Sequence, residues 1–252
     1  MSLRILKKKE HRITLPAGLD KLQIMTHLEI ELSNLRTEVL NMWTLVRSQL
    51  VKARQAVSDN DRDLAHEILQ TEKRINALEL KIDKDCENII ALFNPVAVDL
   101  RFVLANLKIN SNLERIADIA EGIAKYVKHY NKPFSKELLD ISQLMSMFDH
   151  ADDMMLMVRT AYENENTKMA RTVFQLDEQI DDINKRSIEV LTSYIQQHTD
   201  ETEPALYILS TIRKLERVGD QIKNLAEELI FYVDAKVLKH LKKKKLREDL
   251  ES

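Results

Sequence analysis

Three glycines and four prolines are all the turn-making punctuation in 252 residues. Sheets need frequent tight reversals, and those reversals lean on glycine and its few substitutes. A chain this poor in turn formers is expected to be all-α with long helices. The apolar residues agree, recurring at threes and fours almost everywhere. Leu64, Ile68, Ile75, Leu78, Ile82 and Ile89 form one such stripe, suited to packing in a bundle. Capping residues meet helix breakers at Ser58–Asp61, Asn94–Pro95, Asn131–Pro133, Asn164–Asn166 and His198–Pro204. These breaks predict six helices, at 21–58, 61–93, 97–131, 135–163, 166–198 and 203–245, most of them about 45–50 Å long.

The six divide into two threes. Laying Asp59–Leu78 on Asn164–Ile183 sets Glu72 on Asp177 and Asn76 on Asp181, and matches Leu64, Ile68, Ile75 and Leu78 to Met169, Val173, Ile180 and Ile183. In the third helix of each half, Glu114 meets Glu216 and Asp118 meets Asp220. Apolar stripes alone can be slid into register between any two bundle helices. Acidic pairs that recur on two helices in the same order are harder to obtain by chance. The expected organisation is therefore a basic tail (1–20), a first three-helix repeat (21–131), a second (135–235), and a basic helix end and tail (236–252).

The acidic pairs need a reason, because like charges one turn apart on a helix repel by a few tenths of a kcal/mol. In the stretch KLERVGDQIKNLAEE, Glu216, Asp220, Asn224 and Glu227 fall within an arc of about 80° on one helix face. Asp177 and Asp181 make a shorter row on the preceding helix, and both rows border apolar stripes (Val173, Leu176, Ile180; Leu215, Val218, Ile222). If those stripes pack together, carboxylates line one groove. Oxygen ligands without histidine favour hard cations such as Mg²⁺, Ca²⁺, Mn²⁺ or carboxylate-bound iron. The plain alternative is a solvated face eased by local bases such as Arg213, Arg217 and Lys223. The first repeat departs from the second: Asn76 replaces an aspartate, Gly122 stands where Asn224 does, and Lys125 where Glu227 does, with Glu121 nearby. On that count the second repeat is expected to bind metal more tightly.

Charge and composition narrow the function classes. The net charge of −3 hides two basic ends, residues 1–12 and 236–252, each +4, on an acidic body of −11. Such a body repels nucleic acid phosphates, and aromatic residues at 5% offer little for stacking bases. The basic ends suit solubility or contact with anionic headgroups. The single cysteine, Cys86, excludes an internal disulfide and a cysteine-rich zinc site. The longest uncharged run, Asn88–Val98, is too short to span a bilayer, and the first residues have no apolar core for a secretion signal. A soluble cytoplasmic protein is expected.

The phrases NLERIADIAEGIA and KLERVGDQIKNLAEE, one in each half, together with FNPVAVDLRFVLANLKIN before the first, resemble the PhoU family over about residues 28–235. That resemblance implies a pair of three-helix bundles carrying metal on their surfaces, iron first, with manganese, magnesium or zinc as alternatives. The implied ligands are Asp177, Asp181, Glu216, Asp220, Asn224 and Glu227 in the second repeat and Glu72, Asn76, Glu114 and Asp118 in the first. It also implies a cytoplasmic regulator of phosphate uptake and of the phosphate-starvation response, often dimeric, partnered by the ATPase of a phosphate ABC transporter and by a sensor histidine kinase. Related domains form cytosolic parts of sodium–phosphate cotransporters.

Two rivals are weighed against it. Di-iron bundle enzymes use Glu-x-x-His pairs, and no glutamate here precedes any of the seven histidines by three. There is no glycine-rich phosphate loop either, so no enzyme is expected. A metal-independent helical scaffold would explain long helices and basic ends, but it has no need of duplicated acidic pairs.

Overall fold

Side chains cap the starts of four helices. The structure, a computed structural model, describes residues 26–130 and 132–238. Among them lie seven α-helices: α1 (His27–Asp59), α2 (Arg62–Phe93), α3 (Ala97–Tyr130), α4 (Lys136–Ser142), α5 (Leu144–Glu163), α6 (Thr167–Gln197) and α7 (Thr202–Asp234). Thr26 and Glu29 cap α1 reciprocally, each side chain taking the other's backbone N–H, which satisfies two donors the first turn would leave open. Asp61 accepts from Leu64 N–H to start α2, Ser135 from Leu138 to start α4, and Asn166 from Met169 to start α6. Asn60 and Asn94 close α1 and α2 in the left-handed conformation, which asparagine tolerates better than most residues.

Three boundaries differ from expectation. The expected fourth helix is divided into α4 and α5 at Gln143, whose φ of 54° and ψ of 25° turn the chain out of one helix and into another. No glycine, asparagine or proline announces the turn. Helix α1 begins only at His27, and α7 ends at Asp234, where Ala235 is left-handed and residues 235–238 are not helical. The basic tail at 1–20 and the lysine run Lys242–Lys245 lie outside the described residues. Because an L-residue in the left-handed region costs about 1–2 kcal/mol and the Gln143 side chain is exposed, Gln143→Gly should stabilise the protein by about 1 kcal/mol. An upward shift of the urea midpoint at unchanged slope checks this.

Helices α1, α2 and α3 pack on one another to form the first bundle, and α5, α6 and α7, with short α4 against α6, form the second. The bundles join along α3 with α7 and α1 with α5. Helices α3 and α7 run antiparallel, since Lys108 pairs with Glu228 at 3.0 Å, Asn112 with Asn224 at 3.3 Å and Tyr126 with Ser210 at 2.9 Å. Arg47 meets Asp152 and Arg54 meets Asp149, both at 2.7 Å, and Arg36 meets Glu165 at 2.6 Å, which sets α1 antiparallel to α5. Between the bundles Trp43 and Tyr162 are fully buried with ring centroids 5.8 Å apart. The Tyr162 hydroxyl donates to Asn106 Oδ1 at 2.7 Å, while the buried Trp43 Nε1 has no hydrogen-bond partner. The repeats are thus locked as one body, and each leaves a seam, α2 with α3 and α6 with α7, on which the acidic rows sit.

Candidate functional site: the acidic seams of the two repeats

In the second repeat the two rows come together. Val173 and Ile180 of α6 and Leu215, Val218 and Ile222 of α7 are buried, so the apolar stripes pack as expected. The helices approach closely at Gly219, where a Cβ would lie 2.6 Å from Asp177 Oδ1. Only glycine leaves room there for the aspartate. Asp177 is 3% exposed, and its carboxylate meets a cation from its own chain. Lys223 Nζ stands 2.5 Å from Asp177 Oδ2 and 2.7 Å from Asp220 Oδ1. Burial opposes the charge on Lys223, but hydrogen bonds to Asp177 and Asp220 hold it above the usual lysine range. Burial pushes the Asp177 carboxyl up, the Lys223 contact opposes that rise, and Asp181 and Asp220 add to it. Glu216 is raised as well, by burial and then by Asp220 and Asp181. The last two expected ligands lie further along α7. Asn224 donates to Asn112 across the seam with α3, and half-buried Glu227 lies one turn beyond Lys223.

The first repeat gathers Glu72 of α2 with Glu114, Asp118 and Glu121 of α3. Glu72 is 6% exposed, and neither of its carboxylate oxygens has a hydrogen-bond partner. Burial first, and then the charges of Asp118, Glu121 and Glu114, push its pKa up to about 7. Lys125 eases this only as the smallest influence, because it pairs with Glu121 at the rim and is itself 58% exposed. Glu114 is also raised, by burial and by Asp118. Asn76, one turn along α2, is exposed. Gly122 has no part in the seam: the room beside it is taken by the end of Lys214 from α7. Among the described residues no three acidic, histidine or cysteine side chains stand gathered into a finished metal site. Closing an ion into the first seam requires the outer carboxylates, exposed Asp118 and half-buried Glu114, to swing onto it, a rotamer change of the ps–ns kind.

The residue that sequence reasoning undervalued is Lys223, read there as one local base among several. A signal was present. The same offset that lays Asp220 on Asp118 lays Lys223 on Glu121.

Fold and seams define a class: an all-helical protein of two repeated three-helix units, each with acidic rows along one helix pair. The family model for the PhoU domain matches residues 39–127 and 144–229. The phosphate-specific transport system accessory protein PhoU of Edwardsiella tarda is 30% identical over 227 residues, 88% of this chain and 93% of that protein. The accessory protein of the same name from Escherichia coli (strain K12) is 29% identical over the same shares. Among solved structures, PhoU from Pseudomonas aeruginosa superposes with a TM-score of 0.76 at 28% identity, covering 83% of this chain and all of that one. The phosphate transport system regulatory protein PhoU from Streptococcus pneumoniae gives 0.73 at 27% identity, covering 84% and 99%. The chain belongs to the PhoU family.

Proposed function

We propose that this chain is an accessory regulator of a phosphate-specific transport system, restraining phosphate uptake and the phosphate-starvation response when phosphate is plentiful. One observation carries the reading: both PhoU domains are present in order, and relatives named as transport accessory proteins align over 93% of their own length. The partners proposed are the transporter's ATPase and a sensor histidine kinase, met at the inner face of the membrane by a cytoplasmic homodimer. No helix among the described residues is long and apolar enough to cross a membrane, which suits a peripheral partner. The role is one of binding and not of catalysis.

Metal is part of the proposal. The first-repeat carboxylates Glu72, Glu114, Asp118 and Glu121 fit a hard cation, iron first and manganese, magnesium or zinc otherwise, because a buried carboxylate without a partner is costly to leave ionised. When bound, such an ion supplies charge neutralisation that ties α2 to α3.

The test is a pull-down with the full chain from membranes of phosphate-replete cells. The transporter ATPase or the histidine kinase is expected in the captured material, and phosphate uptake should rise in cells lacking the chain. Recovery of a sodium–phosphate cotransporter instead moves the regulator to that system. Recovery of no transport or signalling component, with uptake unchanged, overturns the proposal.

A further inference from the structure

The two seams share one plan with a charge reversed. The offset of 102 residues that superposes Glu216 on Glu114 and Asp220 on Asp118 places Lys223 on Glu121 and Glu227 on Lys125. Where the second repeat sets an ammonium on its buried carboxylate, the first carries another carboxylate at the matching position, whose charge is felt by Glu72. We infer that Lys223 is the second repeat's own cation, standing where a metal ion would, so that metal loads the first repeat alone. The inference rests on the proposal above that an acidic seam takes metal, and it reverses the order that Lys125 and Gly122 suggested from sequence.

The geometry carries it in both directions. In the second repeat the ammonium lies within 2.7 Å of carboxylates on two helices, α6 and α7, and its side chain is only 22% exposed. A hard cation collects six or more oxygens at about 2.0–2.6 Å, and the two oxygens best placed to begin that shell are already held. An ion entering there must first expel a lysine whose charge those same oxygens sustain. Among the described residues of the first repeat no ion pair to Glu72 is found. Lys125 stays at the rim on Glu121, while the two Glu72 oxygens, shut from solvent, have no partner. A carboxylate so placed either keeps its proton or faces a cation. The Gly122 departure has no bearing on this, because Gly122 meets Lys214 just as its counterpart Asn224 meets Asn112, both on the seam between repeats.

Manganese alone is the probe. The full chain is stripped with a chelator and titrated with Mn²⁺ near neutral pH, the free ion being followed by electron paramagnetic resonance and helicity by circular dichroism. Glu72→Gln should lose the binding of the parent, and Asp177→Asn should keep it. Lys223→Ala, which frees the carboxylates of the second seam, should take up about twice the manganese of the parent, whereas Lys223→Arg, keeping the charge, should match the parent. Should Lys223→Ala fail to fold, the contrast between Glu72→Gln and Asp177→Asn still decides. Manganese lost on Asp177→Asn, or a folded Lys223→Ala that binds no more than the parent, overturns this inference while leaving the metal reading intact. Binding by neither parent nor any variant overturns the metal reading, and this inference with it.

Discussion

Lys223→Met lowers the unfolding free energy by about 3 kcal/mol in metal-free buffer, the low end of what removing one member of a buried ion pair costs. Methionine keeps most of the apolar stem, which packs along the α6–α7 seam, so the loss is one of charge and not of volume. What remains is Asp177, with its side chain 5% exposed, facing Asp220 with nothing between them. The cost has a ceiling because the stranded carboxyl can take up a proton instead of staying ionised. Asp177→Asn in the same chain should therefore restore most of what Lys223→Met removes, and the two substitutions should be strongly non-additive. Urea unfolding followed at a helical wavelength measures all three variants. A loss below about 1 kcal/mol, the size of an ordinary surface pair, would mean that the ammonium does not neutralise this seam.

That result would also separate what the sequence could say from what it could not. The number of repeats, their order and the position of the rows followed from periodicity and from capping residues, because those obey local rules: Asn60 with Asp61 and Asn166 mark helix ends where they stand. Gln143 escaped because its left-handed turn is imposed by packing, with Leu138, Leu139 and Leu144 buried on either side of it. Which carboxylate would be buried was also beyond reach. Glu72 and Asp177 occupy equivalent positions among acidic neighbours that stay half-buried or exposed, and only the close approach of the partner helix, at Gly219 for Asp177, makes the difference. Asn224, one turn from Asp220 on the same face, turned instead toward α3 and Asn112, since an 80° arc at a helix crossing spans two neighbours. Lys223 was legible and was passed over. Aligning acids with acids hides the two positions, Lys223 on Glu121 and Glu227 on Lys125, where an acid and a base change places.

In protein stripped of metal, stability should fall as the pH rises from about 4.5 to above 7, and Glu72 should be the largest single contributor. Its folded pKa, about 7, lies above the ordinary value of 4.5 because burial and three neighbouring carboxylates disfavour its charge. A group whose pKa is raised on folding holds its proton more tightly in the native state. Native protein is therefore favoured most below the unfolded value, and that advantage is gone once the pH passes the folded one. At 1.36 kcal/mol per unit the difference is worth about 3 kcal/mol between those limits. Glu114, Glu216 and Asp177 are raised too and tilt the profile the same way, so the parent alone does not isolate the effect. Glu72→Gln does, because its amide has nothing to titrate. The stability of this variant minus that of the parent should grow with pH through the window from 4.5 to 7 and level off above it. Saturating Mn²⁺ should erase the growth by stabilising the ionised parent, since an ion bound only to the native state adds its binding free energy to folding. A difference that stays flat with pH in the chelated protein would place Glu72 in contact with water, and the case for a cation in the first seam would go with it.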